Sequence, residues 1–146
     1  MRLTIKQEKS IEIGTAELRC NQITSEVKRI QSYAEQLSHT IHAKNEQGTY
    51  ETNTSSIYYI ESTDKRTFLY EKDAVLETPL RLYQLEEQLN PKYFIRISKG
   101  CIVNISYVTS IHLLLNRNLE LRLDNDEKLI VSRRYVKAFQ TLLEMR

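Results

Sequence analysis

The chain has 146 residues, with 21 Lys and Arg against 19 Asp and Glu, which gives a formal net charge of +2. This near balance excludes a strongly polyanionic or polycationic tail, and it does not by itself indicate a nucleic-acid-binding protein. No apolar run approaches the roughly 20 residues that a membrane-spanning helix needs. A chain of this length is expected to form one domain, or one domain with a short extension.

Cysteine and histidine are scarce, which limits the chemistry available to an enzyme or a metal site. Cys20 and Cys101 stand far apart and outside any metal-binding pair, so a reduced, cytoplasmic protein is expected. His39 and His42 have no third ligand nearby, and His112 has no adjacent nucleophile motif. A glycine-rich phosphate loop is also missing. The sequence therefore predicts no enzyme, no metal site and no cofactor.

Residues 1–45 are predicted to form an N-terminal extension of strands and one helix. Short strands are predicted at 3–5 and 17–20, and Thr24 is predicted to be the N-cap of the helix that follows. The apolar residues of this helix recur at steps of three and four, at Val27, Ile30, Ala34 and Leu37. Such a stripe has to pack against the chain or against a partner, so the extension is a candidate dimerisation or regulatory segment.

The remaining chain, residues 46–146, is predicted to be a mainly antiparallel β domain with short helices. Residues 38–55 are polar and are predicted to be a linker with a short strand around Thr49 and Tyr50. After it, β-branched and aromatic runs alternate with turns about every ten residues. Strands are predicted at 57–60, 67–70, 74–77, 93–97, 101–104, 108–115, 119–123 and 128–131.

Two helices are predicted within the β domain. The first begins at Thr78 and Pro79, because Thr can cap free amides and Pro has no donor to leave unpaired. Its apolar residues are Leu82, Leu85 and Leu89. Ser132 is predicted to cap the second helix, with Val136, Phe139 and either Leu143 or Leu142 as its apolar residues.

Two segments in order resemble the signature blocks of a known family. Residues 93–105 read Tyr-Phe-Ile-Arg-Ile-Ser-Lys-Gly-Cys-Ile-Val-Asn-Ile, and residues 130–137 read Ile-Val-Ser-Arg-Arg-Tyr-Val-Lys. They resemble the LytTR family of bacterial DNA-binding domains, which are often fused behind a response-regulator receiver domain. The resemblance covers roughly residues 45–145. Ser98, Lys99 and Gly100 depart from the residues most common in the first block.

The resemblance implies elongated antiparallel β-sheets that contact duplex DNA through loops and strand ends rather than through a recognition helix. Mapped residue by residue, it places DNA contacts at Lys65, Arg66 and Thr67, at Ser98 and Lys99, and at Arg133 and Arg134. The chain lacks the length and the acidic pocket of a receiver domain, so a stand-alone regulator is expected. A protomer of this size would read a short site, so a homodimer on repeated half-sites is expected. The resemblance adds a small membrane protein as a candidate inhibitory partner.

The cations of these segments have structural explanations as well as functional ones. Arg134 can donate two hydrogen bonds to O6 and N7 of a guanine, which would discriminate between bases. Alternatively, Arg133 and Arg134 form a solvated basic face or pair with Asp124 or Glu127. Lys99 lies in a polar break between two apolar strands, where it can meet a phosphate or can be an ordinary exposed turn residue.

The functional hypothesis is a transcriptional regulator that binds double-stranded DNA sequence-specifically. The alternative is a protein-interaction module that does not bind DNA, in which the basic loops are merely solvated. Arg96 is expected to pair with a carboxylate such as Glu61. Asn104 is expected to fix a turn through side-chain to backbone hydrogen bonds, and Tyr135 is expected to pack against the sheet.

Overall fold

The computed structural model describes residues 2, 4–10, 16–36 and 39–145. These ranges contain three α-helices, ten β-strands and two single 3₁₀ turns at Thr54–Ser56 and Ile105–Tyr107. The helices are α1 (Ser25–Gln36), α2 (Leu82–Gln88) and α3 (Arg133–Glu144). The strands are β1 (Thr40–Asn45), β2 (Gly48–Asn53), β3 (Tyr59–Thr63), β4 (Arg66–Tyr70), β5 (Val75–Thr78), β6 (Phe94–Ser98), β7 (Cys101–Asn104), β8 (Val108–Leu113), β9 (Leu119–Leu123) and β10 (Lys128–Val131).

The strands form two antiparallel sheets, which confirms the predicted mainly β fold with short helices. The larger sheet has seven strands in the order β2-β1-β5-β4-β3-β7-β6, and the smaller has three in the order β10-β9-β8. Within the described ranges, no helix is long and apolar enough to cross a membrane.

The seven-stranded sheet has a separate hydrophobic core on each face. Ile60 and Leu69 pack with the apolar residues of α2 on one face. On the other face, Val103 packs with the small sheet and with Phe139 of α3. Strand β7 contributes side chains to both cores, because successive residues of a strand point to opposite faces. Ile102 faces α2, whereas Val103 faces the small sheet. All four residues of β7 are therefore buried.

The predicted linker at 38–55 is wrong, because the segment contains the β1–β2 hairpin, although the short strand predicted around Thr49 and Tyr50 is confirmed as part of β2. Only two residues of β1, Ile41 and Ala43, are buried, so its short apolar alternation gives a weak sequence signal. Asn45 closes the hairpin, since its Oδ1 accepts hydrogen bonds from the backbone N–H groups of Gln47 and Gly48. Strand β1 also pairs with β5, so the large sheet begins before residue 46.

The strands predicted near the N-terminus are wrong where the structure describes them. Residues 4–5 and 17–20 are exposed and irregular, because no neighbouring strand pairs with them within the described ranges. Leu3 lies outside those ranges.

Helix α1 packs mainly through polar groups rather than through the predicted apolar stripe. Its start is confirmed, since Thr24 Oγ1 accepts from the backbone N–H of Val27 at 3.3 Å. Val27 and Ile30 are only half-buried, Ala34 is exposed, and Leu37 lies outside the described residues. Among the described residues, polar contacts join the helix to the β domain. Ser32 Oγ lies 2.9 Å from Ser106 Oγ, and Glu35 accepts a hydrogen bond from the Tyr93 hydroxyl and lies 3.6 Å from Lys92 Nζ.

Replacing Glu35 with Gln is expected to make the stability contributed by α1 docking less sensitive to acid. The hydrogen bond from Tyr93 is the main cause that lowers the pKa of Glu35 below its ordinary value, and Gln31 and Lys92 lower it further. A lowered pKa contributes stability above the ordinary pKa, and that stability is lost as pH falls through the folded-state value. Urea midpoints of the wild-type and Gln proteins should therefore differ at pH 7 and converge at acid pH.

The control for this prediction is Glu87→Gln, which changes an exposed carboxylate of α2. Its urea midpoint should stay close to that of the wild type at every pH. A difference between the Glu35→Gln and wild-type midpoints that does not change with pH would contradict the role given to the Glu35 carboxylate.

Helix α2 begins later than predicted. Thr78 is the last residue of β5, and its Oγ1 accepts from the backbone N–H of Leu80 at 3.4 Å, so Thr78 and Pro79 form a turn. Arg81 is the N-cap, and its backbone N–H donates to Gln84 Oε1 at 2.8 Å. The local residues fit a helix start at either place, and the pairing of β5 with β4 decides between them.

Helix α3 begins where the sequence predicts. Ser132 occupies the N-cap position, although its side chain forms no capping hydrogen bond. Phe139 is fully buried, and Leu142 and Leu143 are both half-buried against the same core. Leu142 and Leu143, the two alternatives for the last apolar position, therefore both pack against the core.

Candidate nucleic-acid interface

Two hairpin turns lie side by side at one end of the large sheet. Strands β3 and β4 are joined through Asp64 and Lys65, whose φ angles of 50° and 63° suit a two-residue hairpin turn. Strands β6 and β7 are joined through Lys99 and Gly100. Because β3 pairs with β7, both turns lie at the same end, and the backbone N–H of Ser62 donates to the carbonyl of Gly100 at 2.8 Å.

A third segment is attached to the same place by a backbone hydrogen bond. The N–H of Ser132 donates to the carbonyl of Ile97 at 2.9 Å, although the two residues are far apart in the sequence. Lys99 follows closely after Ile97, and Arg133 and Arg134 follow directly after Ser132. The structure therefore brings together the backbone of all three segments that the family resemblance singled out.

Four of the predicted contact residues present positive charge that no acidic group neutralises. Lys65, Lys99, Arg133 and Arg134 are all exposed. Across the described part of the chain, none of the four forms an ion pair. The alternative pairing of Arg133 or Arg134 with a carboxylate of the β9–β10 turn is therefore absent from the described structure. The backbone N–H of Arg133 is held by Asn118 Oδ1 at 3.0 Å, which fixes the first turn of α3.

Arg66 differs from these four, because Glu77 neutralises it. Its guanidinium donates from Nε to Oε1 at 3.0 Å and from Nη2 to Oε2 at 2.8 Å. It also lies 5.0 Å from the centroid of the Phe68 ring. The bond with Arg66 lowers the pKa of Glu77 and raises the pKa of Arg66. Arg66 therefore serves the β4–β5 pairing in this structure, and a contact with DNA would compete with that ion pair.

Thr67 and Ser98 are placed less favourably for contact than the sequence suggested. Thr67 is only 2% exposed, because it points to the same face of the sheet as Leu69 and lies opposite Thr78. Its side chain cannot reach a ligand without rearrangement, so the expected contact at Thr67 does not fit this structure. Ser98 is half-buried, and its Oγ accepts from the backbone N–H of Gly100 at 3.4 Å.

Arg96 supports the turn that carries Lys99, a role the sequence did not suggest. The expected pairing of Arg96 with a carboxylate is confirmed, although the partner is Glu86 of α2 rather than Glu61. Arg96 Nε donates to the carbonyl of Ser98 at 3.2 Å, and Nη2 donates to the carbonyl of Lys99 at 2.6 Å. The partner could not be inferred from sequence because it depends on how α2 packs across the sheet.

Replacing Gly100 with Ala is expected to disturb the junction between the two hairpin turns. An added Cβ would lie 3.1 Å from the carbonyl oxygen of Ser62, which is backbone and is itself held in the sheet. Overpacking of this kind costs on the order of 1–3 kcal/mol, and a loss near 1 kcal/mol, measured by urea unfolding, is the expected result. The control is Gly48→Ala at the distant β1–β2 turn. An added Cβ there contacts no neighbouring atom, so any cost comes from the positive φ of the backbone. A Gly100→Ala protein as stable as the wild type would show that the Ser62 carbonyl can move without cost.

Two further expectations concern residues that hold the site in place, and both are confirmed. Asn104 is fully buried, its Oδ1 accepts from the N–H of Ser106, and its Nδ2 donates to the carbonyl of Ile57, each at 3.0 Å. Tyr135 packs against the core beneath α3.

Arg81 is a further residue at the site that was not predicted, and its Nη1 donates to the carbonyl of Lys65 at 3.2 Å. The contact joins the start of α2 to the β3–β4 turn, so no local pattern in the sequence predicts it. No group of three or more His, Cys, Asp or Glu able to hold a metal occurs among the residues that the structure describes.

Comparison with known proteins is consistent with this geometry. A family model described as the LytTr DNA-binding domain matches residues 47–144. The transcriptional regulatory protein YpdB of Escherichia coli strain K12 is 32% identical over 95 residues, which are 64% of this chain and 39% of YpdB. The chain thus spans about two-fifths of the length of that relative. An HTH-type transcriptional regulator of Staphylococcus aureus strain NCTC 8325 is 32% identical over 108 residues, which are 74% of this chain and 73% of the relative.

A solved structure extends the likeness to the fold. The LytTr DNA-binding domain of a protein described as a methyl-accepting/DNA response regulator from Bacillus cereus superposes with a TM-score of 0.69 at 27% sequence identity. The match covers 72% of this chain and 96% of that domain. By family model, relatives and fold, the chain belongs to the LytTr DNA-binding domain family.

Proposed function

We propose that the protein is a transcriptional regulator that binds double-stranded DNA sequence-specifically through the end of the sheet that carries Lys65, Lys99 and Arg134. The observation that supports this most is the joining of three distant segments by the Ser62–Gly100 and Ile97–Ser132 backbone hydrogen bonds. Unpaired cations from all three segments then lie at one end of the molecule, as a polyanionic ligand requires.

Affinity and specificity come from different parts of this surface. Exposed Lys and Arg neutralise phosphates and release counterions, so binding weakens as salt rises. Arg134 and Lys99 supply base recognition in the major groove, where guanine offers O6 and N7 to a planar guanidinium. Ser98 contributes at most a phosphate contact, and Arg66 and Thr67 act in the β-sheet.

The proposal includes an assembly and a setting for the protein. A protomer of this size reads a short site, so two protomers bind repeated half-sites as a homodimer in the cytoplasm. The part of residues 1–45 that precedes β1, including the loosely packed α1, acts as the dimerisation or regulatory segment, because β1 itself belongs to the large sheet. A small membrane protein is a candidate inhibitory partner for that segment. The protein acts by binding, without catalysing a reaction.

Selection of bound duplexes from a random pool tests the proposed function. The wild-type protein should enrich a defined sequence, and the double variant Lys99→Ala/Arg134→Ala should lose that enrichment. Lys72→Ala is the matched control, because this exposed lysine lies in the turn at the opposite end of β4. The assignment fails if the wild type enriches no duplex, or if the double variant enriches the same duplexes equally well. The first of these outcomes would favour the protein-interaction alternative.

The homodimer is tested by sedimentation of the protein with duplexes that carry one or two copies of the selected site. The free energy for binding two protomers to the duplex with two copies should be more favourable than twice the binding free energy measured on the duplex with one copy. A strictly independent binding of each protomer would contradict cooperative dimer formation on DNA.

A further inference from the structure

An open depression of about 650 Å³ lies beside the two hairpin turns, on the α2 side of the predicted contact segments. It is lined by Ser62, Arg81, Leu82, Tyr83, Arg96, Lys99 and Gly100. None of these lining residues is acidic. The depression is continuous with the proposed DNA-binding surface, because Lys99 and Gly100 belong to both.

The charge of this depression comes from Arg81 and Lys99. Both are exposed, and neither has a carboxylate partner in the described ranges. Arg96 also lines the depression, but Glu86 neutralises it and its remaining donors are taken by the carbonyls of the Lys99 turn. The net charge of the lining therefore favours an anion.

The guanidinium of Arg81 is positioned by the fold while most of its donors stay unused. Its single hydrogen bond within the described structure runs from Nη1 to the carbonyl of Lys65, which ties α2 to the β3–β4 turn. A guanidinium has five N–H donors, so the others are available to a second acceptor. The adjacent Tyr83 is 63% exposed and presents a hydroxyl and a ring beside the same opening.

We propose that this depression binds a backbone phosphate of the duplex, with Arg81 as its direct contact and Lys99 as a flanking charge. The inference rests on the proposed function and adds α2 to the DNA-binding surface. The contact is assigned to phosphate rather than to a base edge, because Arg81 belongs to the start of α2, outside the hairpin turns, and its guanidinium is already bonded to the Lys65 carbonyl. A phosphate contact positions the duplex but carries no sequence information.

The test uses Arg81→Gln, which removes the charge and keeps a polar side chain, although the shorter amide no longer reaches the Lys65 carbonyl. Affinity is measured for the selected duplex and for a scrambled duplex across a series of salt concentrations. Loss of one phosphate contact should weaken binding to both duplexes by the same factor and reduce the slope of log K against log salt by about 1. The bases enriched from a random pool should stay the same.

Two further variants keep this test decisive. Arg81→Lys retains the positive charge and should retain the wild-type salt slope, and Lys72→Ala, at the far end of β4, should also leave it unchanged. Urea midpoints close to that of the wild type show that the variants fold. An unchanged slope in Arg81→Gln, or a change in the enriched bases, overturns the phosphate contact. If instead the wild-type protein binds no duplex at all, the proposed function itself fails, so the two failures are distinguishable.

Discussion

Replacing Phe139 with Ala is expected to lower the free energy of unfolding by about 3–5 kcal/mol, because it removes a fully buried aromatic ring and leaves a cavity. The ring packs among the buried side chains of the small sheet and of β6 and β7. Urea unfolding followed by circular dichroism measures this change.

Gln140→Ala is the matched control, since it alters the next residue of α3 on its exposed side. That change should stay within about 0.5 kcal/mol of the wild type. A loss below about 1 kcal/mol in Phe139→Ala would mean that α3 is not packed as the structure has it. The position of Arg133 and Arg134 would then be in question as well.

Replacing Arg134 with Ala is expected to reduce discrimination against single base-pair changes in the selected site by about 1–3 kcal/mol at one position. The reason is the loss of two parallel hydrogen bonds from a planar guanidinium to guanine, which no neighbouring lysine can replace. Affinities for the selected duplex and for each single base-pair variant of it measure the change.

The matched control is Arg133→Ala, which removes the same charge one residue earlier in α3. It should weaken binding to all duplexes alike and leave the base preference intact. If Arg134→Ala also weakens all duplexes alike, Arg134 contacts phosphate and the base-reading role is wrong. If Arg133→Ala is the variant that changes base preference, the two roles are reversed.

The β-sheet domain could be predicted from sequence because its signals are local. Strand β9 has clear apolar alternation, and β6 and β7 are short apolar runs on either side of a polar turn, so these strands follow from residues within a short window. Strand β1 has only Ile41 and Ala43 as buried residues, and it is a strand because it pairs along its length with β2 and at Lys44 with β5. That information is not contained in residues 40–45 themselves.

The candidate site was predictable in its parts but not in its arrangement. Lys65, Lys99 and Arg134 could be chosen from the turns and from the family resemblance. Their proximity depends on main-chain bonds between distant segments, which no local pattern encodes. The division between paired and unpaired cations was equally inaccessible, since the carboxylate that neutralises Arg66 lies on β5 and the one that neutralises Arg96 lies on α2.

The main-chain hydrogen bonds at Ser62 and Ser132 bear on how substitutions could alter the DNA sequence that the protein recognises. They involve backbone atoms alone, so they survive exchange of the side chains at the neighbouring turns. Substitutions at Lys65, Lys99 or Arg134 then change the side chains offered to the duplex, while the backbone spacing between the three segments stays the same. Recognition can therefore be re-engineered one position at a time on an invariant frame, and little conformational freedom is lost when the duplex docks.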